Sequence, residues 1–355
     1  MRFGLFGGAT RSDGVTATSE GYGDSQAYRA FIDYVVEAEA LGFESVFLVE
    51  HHFTGNGQLS ASLSLLAYLA GLTSKIRLGT AVTVLPWHNP VLLAEQAALV
   101  DLASNGRLEF GVGRGYRPNE FHGFAIDPAE AQARFEEGLE LLLKSWTSRE
   151  RFSHAGKFWK FDDIVVEPQC VQEPHPPMWM AGGSEQSIRG AARGGYRLLL
   201  DQFADVETVG KRVAWYRDEY ARNTNAVHKG EIGLTRGLLL LDSKKAAAQR
   251  EAEIDRRLAQ ISMLQKTSQI PGAEAPKESL LAGSREVTES STLLGPPDEC
   301  IRRLKALEAA GVDYVLLNDG WGGIERLRLF AKEVMPAFRN GAGHQSAGVQ
   351  KTKAG

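Results

Sequence analysis

The chain has 355 residues, 43% of them hydrophobic, and its 40 basic and 44 acidic residues leave a formal net charge of -4. This length and hydrophobic content suffice for a large core, and the balanced charge argues against a nucleic-acid-binding surface, which needs clustered positive charge. The 2 cysteines, Cys170 and Cys300, form no C-x-x-C motif, so a disulfide framework is not expected. Residues 1–8 predict a strand and a glycine turn rather than a secretory signal, and no later segment has the roughly 20 apolar residues of a membrane-spanning helix. We therefore expect a cytoplasmic protein without membrane or nucleic-acid partners.

Strands and amphipathic helices alternate along most of the chain. In chain order the predicted elements are a strand at 2–6, a helix at 25–41, a strand at 45–49, a helix at 60–72, a strand at 76–84, a helix at 90–102, a strand at 107–112 and a helix at 128–146. After an interruption at 148–177, the pattern continues with a strand at 178–181, a helix at 185–193, a strand at 196–200, a helix at 206–221, strands at 234–241 and 314–317, and a helix at 324–334. Within the first helix, Phe31, Val35 and Ala38 recur at helical spacing, which predicts one buried face.

This alternation predicts a parallel sheet, because parallel strands need crossover connections. Eight units with near-continuous apolar strands favour a closed (β/α)₈ TIM barrel of the α/β class, and a doubly wound open sheet is the alternative. The aromatic, charged segment at 148–177 is predicted to leave the repeating unit. Residues 265–292, rich in Ser, Glu, Gly and Pro, predict a mobile lid after the seventh strand. We expect one barrel domain at 1–339 and a disordered tail at 340–355.

Polar residues follow several of the predicted strands, and the active site of such a barrel lies at the C-terminal ends of its strands. The second strand is followed by Glu50-His51-His52-Phe53 and the third by Trp87-His88-Asn89. Adjacent strand residues point to opposite faces, so only one of His51 and His52 can enter the pocket. A general base is the functional interpretation of that histidine, and a satisfied structural residue is the alternative. A metal site is not favoured, because the H-E-x-x-H motif is missing and the first strand ends in glycines.

A second polar group follows the fourth and fifth strands. Ser184 follows Gly182-Gly183 and is placed to cap the next helix, whose free N–H groups and positive dipole end suit a phosphate. An ordinary N-cap serine is the alternative. Arg114 on the neighbouring loop would supply a charged partner for that phosphate. The glycine-rich run at 111–115 does not have the G-x-G-x-x-G spacing of a dinucleotide loop, and no G-x-S-x-G nucleophile motif is present.

Together these motifs resemble the bacterial luciferase family of flavin-dependent monooxygenases. The matching segments are residues 1–6, 47–54, 78–86, 105–115, 181–187 and 191–195. The resemblance implies a (β/α)₈ barrel that takes reduced flavin mononucleotide (FMNH2) from a separate flavin reductase. With O2, the reduced FMN would form a C4a-hydroperoxide and insert one oxygen atom into a small or medium organic substrate. Family members commonly dimerise, so the resemblance also implies a homodimer.

The resemblance also assigns roles to individual residues. His51 matches the catalytic histidine, and Phe6 falls beside the isoalloxazine ring. Arg114, Ser184 and Ser187 match contacts to the flavin phosphate, with Gly183 supplying backbone. The bond between Ala81 and Val82 matches a cis peptide behind the flavin ring.

Three positions depart from the family pattern. Gly113 occupies the place of a reactive cysteine, and Asn89, next to His88, replaces another active-site histidine. Gln132 stands where an arginine contacts phosphate, so either Arg134 replaces that arginine or the affinity for phosphate is lower. Two alternatives stay open: an oxidoreductase that uses the deazaflavin coenzyme F420 on the same barrel, and a non-catalytic flavin-binding protein. The substrate and the reductase are not specified by these motifs.

Overall fold

The fold is known from a computed structural model, which describes residues 1–9, 25–55, 58–223, 230–241, 246–267, 284–319 and 323–341. The strands are β1 (Arg2–Gly7), β2 (Ser45–Leu48), β3 (Arg77–Thr80), β4 (Thr83–Val84), β5 (Leu108–Gly113), β6 (Phe152–Ala155), β7 (Lys160–Ile164), β8 (Met178–Ala181), β9 (Arg197–Leu200), β10 (Ile232–Leu240), β11 (Thr292–Gly295) and β12 (Tyr314–Asn318). The helices are α1 (Ser25–Leu41), α2 (Ser62–Leu72), α3 (Pro90–Ala103), α4 (Pro118–Gly123), α5 (Ala131–Thr147), α6 (Glu185–Arg193), α7 (Val206–Tyr220), α8 (Ala246–Thr267), α9 (Arg285–Ser291), α10 (Pro297–Ala309) and α11 (Ile324–Glu333).

Within the described residues, eight parallel strands close into a barrel in the order β1, β2, β3, β5, β8, β9, β10 and β12. β12 completes the ring because it pairs with β1 on one side, as in Gly4 with Leu316, and with β10 on the other, as in Thr235 with Leu316. The predicted (β/α)₈ barrel is therefore confirmed, and the open doubly wound sheet is excluded. Every residue of β5 and β10 is buried, as expected for strands that are covered on both faces.

Several elements differ from the sequence-based prediction. The strand predicted at 76–84 is divided into β3 and β4, and the short helix α4 was not predicted. Residues 148–177 contain β6 and β7, an antiparallel pair that belongs to a separate sheet. β11 was also missed; it pairs in parallel with the C-terminal half of β10.

The lid and the tail were predicted for segments that the structure covers only in part. Residues 265–267 end α8, and 284–292 include α9 and the first residue of β11. Residues 268–283 and 342–355 lie outside the described residues, so the mobile lid and the disordered tail stay predictions. Among the residues that are described, no helix is both long and apolar enough to cross a membrane.

The N-terminal end of the barrel is closed by buried charges. Glu109 on β5 accepts hydrogen bonds from Trp179 Nε1 and from Arg197 Nη1, both at 2.7 Å, and it also pairs with Arg77. Burial alone would raise the pKa of Glu109, but the two arginines outweigh burial and hold that pKa below its ordinary value. These polar groups are therefore occupied by one another at the N-terminal end of the barrel.

Candidate active site

His51 lies just after β2, at the C-terminal end of the barrel, between two charged side chains. Its Nδ1 is 3.2 Å from Glu120 Oε1, and its Nε2 is 3.1 Å from Arg117 Nη2. A guanidinium can only donate, so Nε2 must accept from Arg117, and the Nδ1–H then donates to the Glu120 carboxylate. This assignment describes a neutral imidazole whose tautomer is set by its two neighbours.

The surroundings of His51 favour its neutral form. Burial lowers the pKa of His51 below its ordinary value, and the positive charge of Arg117 lowers it further, whereas the hydrogen bond to Glu120 opposes this shift. The net lowering leaves His51 unprotonated at neutral pH. An unprotonated imidazole is the form that a general base requires.

Arg117 and Glu120 are held rigidly at this position. Both side chains are almost fully buried. Arg117 also donates to Gln58 Oε1 at 3.2 Å, and Glu120 Oε1 also accepts the backbone N–H of His52 at 3.0 Å. Pro118 begins α4 between them, which turns the chain back over the strand ends. The imidazole of His51 is therefore oriented by groups that have other fixed contacts.

His52 makes contacts that differ from those of His51. Its Nε2 donates to Glu50 Oε1 at 3.1 Å, and His88 Nε2 donates to the same oxygen at 2.8 Å. Burial would raise the pKa of Glu50, but these two hydrogen bonds hold the pKa below its ordinary value. The ring of His52 also packs edge-on against Phe124, with 4.8 Å between ring centroids. Among the described residues, no group of His, Cys, Asp and Glu side chains is arranged to hold a metal ion.

An apolar surface lies at the same end of the barrel. Phe6, Ala81 and Val82 are partly buried and pack together on the core cluster that fills the barrel. The peptide bond between Ala81 and Val82 is cis, which is the geometry that the resemblance implied.

Glycines at 111 and 113 allow β5 to approach the end of β3 and the residues that follow it closely. A Cβ on Gly113 would lie 2.6 Å from Val82 Cγ2, and one on Gly111 would lie 2.0 Å from the carbonyl oxygen of Thr80. A cysteine side chain at position 113 would therefore collide with Val82. The glycine-rich run serves strand packing, as the missing dinucleotide spacing indicated.

Ser184 caps the N-terminus of α6, as its position after the two glycines predicted. Its Oγ accepts the N–H of Ser187 at 3.3 Å, Ser187 Oγ accepts the N–H of Ser184 at 3.2 Å, and the two hydroxyl oxygens are 3.0 Å apart. Ser184 is exposed and Ser187 is half-buried. A Cβ on Gly183 would meet nothing closer than 3.7 Å, so the approach to this helix end is open.

Arg114 is exposed, and its Nη1 donates to Gln132 Oε1 at 3.3 Å. Arg134, which was considered as a replacement for the family's second arginine, instead pairs with Glu130 at 3.0 Å and lies over the ring of Phe158. The guanidinium of Arg114 therefore has a neutral partner in Gln132, whereas that of Arg134 is paired with the carboxylate of Glu130.

The chain was compared with known proteins. The model of the luciferase-like monooxygenase family matches residues 1–314. This chain belongs to that family. The resemblance that the motifs indicated is thereby confirmed, and with it the prediction that the protein is an enzyme, an oxidoreductase.

Individual proteins are similar to this chain over different shares of its length. The oxygenase component of a flavin-dependent trigonelline monooxygenase from Acinetobacter baylyi is 28% identical over 352 residues, which cover 95% of this chain and 96% of that protein. The uncharacterized protein y4vJ from Sinorhizobium fredii is 38% identical over 199 residues, which cover 55% of this chain and only 56% of that protein. The crystal structure of the monooxygenase RslO1 from Streptomyces bottropensis superposes with a TM-score of 0.75 and 26% identity, and covers 95% of this chain and 99% of that one.

In this luciferase-like monooxygenase the predicted site residues all lie at the C-terminal end of the barrel. Sequence reasoning missed Arg117 and Glu120, although both lie in the segment that follows the fourth predicted strand, where functional residues are expected. It also missed Arg212, which pairs with Asp201 at 2.7 Å beside Gly183. Asn89 has a structural role, since its Oδ1 accepts the N–H groups of Val91 and Leu92 and caps α3.

Proposed function

We propose that this protein is the cytoplasmic oxygenase component of a two-component monooxygenase. It would take reduced FMN from a separate flavin reductase and, with O2, insert one oxygen atom into a small or medium organic substrate. The observation that carries the proposal is the neutral His51, oriented by Arg117 and Glu120, at the same end of the barrel as the open N-terminus of α6. The proposed base, His51, and the proposed anion-binding N-terminus of α6 thus lie at the same end of the barrel.

The α6 end fits the phosphate of FMN. It offers backbone N–H groups, the hydroxyls of Ser184 and Ser187, and the positive end of the helix dipole. Among the described residues no carboxylate pairs with Arg114, so a phosphate would meet no competing anion there. Gly183 allows the backbone to approach the ligand without a side chain between them.

The apolar surface formed by Phe6, Ala81 and Val82 suits a planar ring system, because it is partly exposed and backed by the barrel core. Bound reduced FMN supplies the electrons that activate O2. The residues of the chain would place the ring, and the paired charges around Glu109 lie at the opposite, N-terminal end of the barrel.

His51 Nε2 is the atom that we assign to proton transfer. Its unshared electron pair accepts a hydrogen bond from Arg117 Nη2, so it takes a proton from a reacting hydroxyl only when the hydroxyl replaces Arg117 as its partner. The Glu120 carboxylate would stabilise the imidazolium that forms, while Arg117 prevents His51 from being protonated too early. Arg117 and Glu120 are positioning residues in this scheme. The prediction of a lid at 265–292 is kept as part of the proposal, since a cover would exclude water.

The homodimer is also part of the proposal. The neighbouring helices α2 and α3 each expose large apolar side chains. They are Tyr68, Leu72, Leu92, Leu99 and Leu102, with exposed fractions between 40% and 58%. A second copy of the chain would cover this face. Sedimentation of Leu99→Glu should show loss of the dimer, whereas Val171→Glu, at an exposed apolar residue elsewhere, should leave the dimer unchanged.

The function is tested by the binding of FMN and of F420 and by one activity assay with reduced FMN. We expect the purified protein to bind FMN in a spectral titration and, when supplied with a flavin reductase, to oxidise reduced FMN under air with release of hydrogen peroxide. Binding of F420 with no affinity for FMN would favour the deazaflavin alternative. FMN binding that leaves the oxidation rate of reduced FMN equal to that of the free flavin would indicate a non-catalytic flavin-binding protein.

A further inference from the structure

Helix α8 covers one side of the open end of the barrel. It packs through apolar residues on the upper part of β10 and on β11; the buried residues of this contact are Ile254, Leu239, Leu241 and Leu294, with Leu258 partly buried against them. Residues 233, 235 and 237 of β10 share the face that carries 239 and 241, because side chains of a strand alternate. A Cβ on Gly233 would touch Trp179 inside the barrel, so this face is the inner one. α8 therefore lies against the inner face of β10 where that strand rises above the barrel.

The side chain of Arg257 extends from α8 to the ends of three neighbouring strands. Its Nη2 donates to Gln202 Oε1 just after β9, and Asn318 Nδ2, at the end of β12, lies 3.4 Å from the same oxygen. A Cβ on Gly237 of β10 would be 3.5 Å from Arg257 Nη2. The guanidinium thus lies on the inner rim of the barrel, above β9, β10 and β12.

Arg257 carries a charge that no acidic side chain balances among the described residues. The ion pairs found there do not include it, whereas its neighbour Arg256 pairs with Glu253 at 2.8 Å on the surface. Burial lowers the pKa of Arg257 to about 10, and no acidic group opposes this effect. A partly buried guanidinium beside neutral amides is an arrangement that an anionic ligand would complete.

We propose that Arg257, together with the amides of Gln202 and Asn318, binds the carboxylate of the organic substrate, so that this enzyme acts on organic acids. This inference rests on the proposed monooxygenase function. The planar guanidinium can donate two parallel hydrogen bonds to a carboxylate, which would also fix the orientation of the substrate. Arg114 and α6 lie beside β5 and β8, whereas Arg257 lies beside β9, β10 and β12, so the flavin phosphate and the substrate carboxylate have separate positions on the rim.

The proposal is tested with matched pairs of acids and amides. Binding of benzoate, phenylacetate and hexanoate, and of the corresponding neutral amides, is measured by calorimetry on the FMN-loaded protein and on the protein without flavin. We expect at least one carboxylate to bind more tightly than its amide, and Arg257→Gln to weaken that carboxylate about 10- to 100-fold, the effect of losing a charged hydrogen bond. Arg257→Lys should retain part of the preference. Arg256→Gln, which removes the same type of charge one residue away, should leave it unchanged.

Several results would overturn the proposal. It is wrong if no carboxylate in the series binds better than its amide, or if Arg257→Gln retains the full preference. It is also wrong if Arg257→Gln weakens FMN but not riboflavin, because Arg257 would then bind the cofactor phosphate. Failure of the wild-type protein to bind FMN or riboflavin would reject the proposed function instead, and calorimetry without flavin would still measure the preference for carboxylates.

Discussion

Replacement of Arg114 with alanine is the sharpest test of the cofactor site. Arg114 donates to the neutral amide of Gln132 at 3.3 Å, so it gives up no ion pair when a phosphate arrives. A hydrogen bond to a charged group contributes about 1.5–3 kcal/mol. Because Arg114 is exposed, water and salt screen part of this contribution, which favours the lower end, about 1.5 kcal/mol. We therefore expect Arg114→Ala to raise the Kd of FMN roughly tenfold.

The assay is a fluorescence titration of FMN and riboflavin into wild-type protein and two variants. Riboflavin lacks the phosphate, so it should bind wild type and Arg114→Ala about equally. The control is Arg134→Ala. Arg134 pairs with Glu130 and lies over Phe158, so its replacement should change the Kd of FMN and of riboflavin little. The affinity of wild type for FMN should also fall with added salt more steeply than that of Arg114→Ala.

Two results would refute the reasoning. Equal weakening of FMN and riboflavin would place Arg114 away from the phosphate. A larger loss of FMN affinity in Arg134→Ala than in Arg114→Ala would show that Arg134 leaves its carboxylate when the cofactor binds.

Three further predictions concern the base and the packing behind the flavin surface. His51→Ala should retain FMN binding but lose turnover about 10²–10⁴-fold and release more hydrogen peroxide, measured by stopped-flow oxidation and peroxide yield. His52→Ala should mainly lower the Tm, and the reverse pattern would contradict the assignment of His51 as the base. Burial and Arg117 lower the pKa of His51, so kcat should fall only as the pH drops below the ordinary histidine value of about 6.5, where the imidazole becomes protonated. Arg117→Gln removes a positive neighbour, which raises the pKa of His51 and should move this loss of kcat to higher pH; an unmoved pH profile would exclude His51 as the group that titrates. Gly113→Ala places a Cβ 2.6 Å from Val82 Cγ2 and should destabilise the fold by about 1–3 kcal/mol in denaturant unfolding, and an unchanged free energy of unfolding would show that Val82 moves freely.

Local sequence patterns predicted most of the barrel. The helices at 25–41 and 185–193 and the strand at 178–181 were predicted with the bounds that the structure shows. Their signals are short-range: apolar periodicity, a capping serine at 184, and apolar runs between turn residues. Closure of the barrel also followed from the sequence, because eight strand–helix units imply parallel neighbours and a ring satisfies both edges.

The pairing between strands that are far apart in the sequence could not be predicted from local patterns. The strand at 292–295 has no strong pattern of its own and is defined by its pairing with the upper part of β10, whose Gly237 lies opposite Thr292. The cis peptide bond between Ala81 and Val82 was implied only by the resemblance to a family, since neither residue type signals it.

The sequence by itself determined the fold class, the family and the end of the barrel at which the functional residues lie, because these depend on patterns within single elements and on their order. Only the tertiary structure decided how those residues are paired. Arg117 and Glu120 reach His51 across more than sixty positions of sequence, and Arg257 reaches Gln202 across 55. Contacts of this kind arise where loops and helices from separate units meet above the strands, and the residues that meet depend on strand register, which no local pattern encodes.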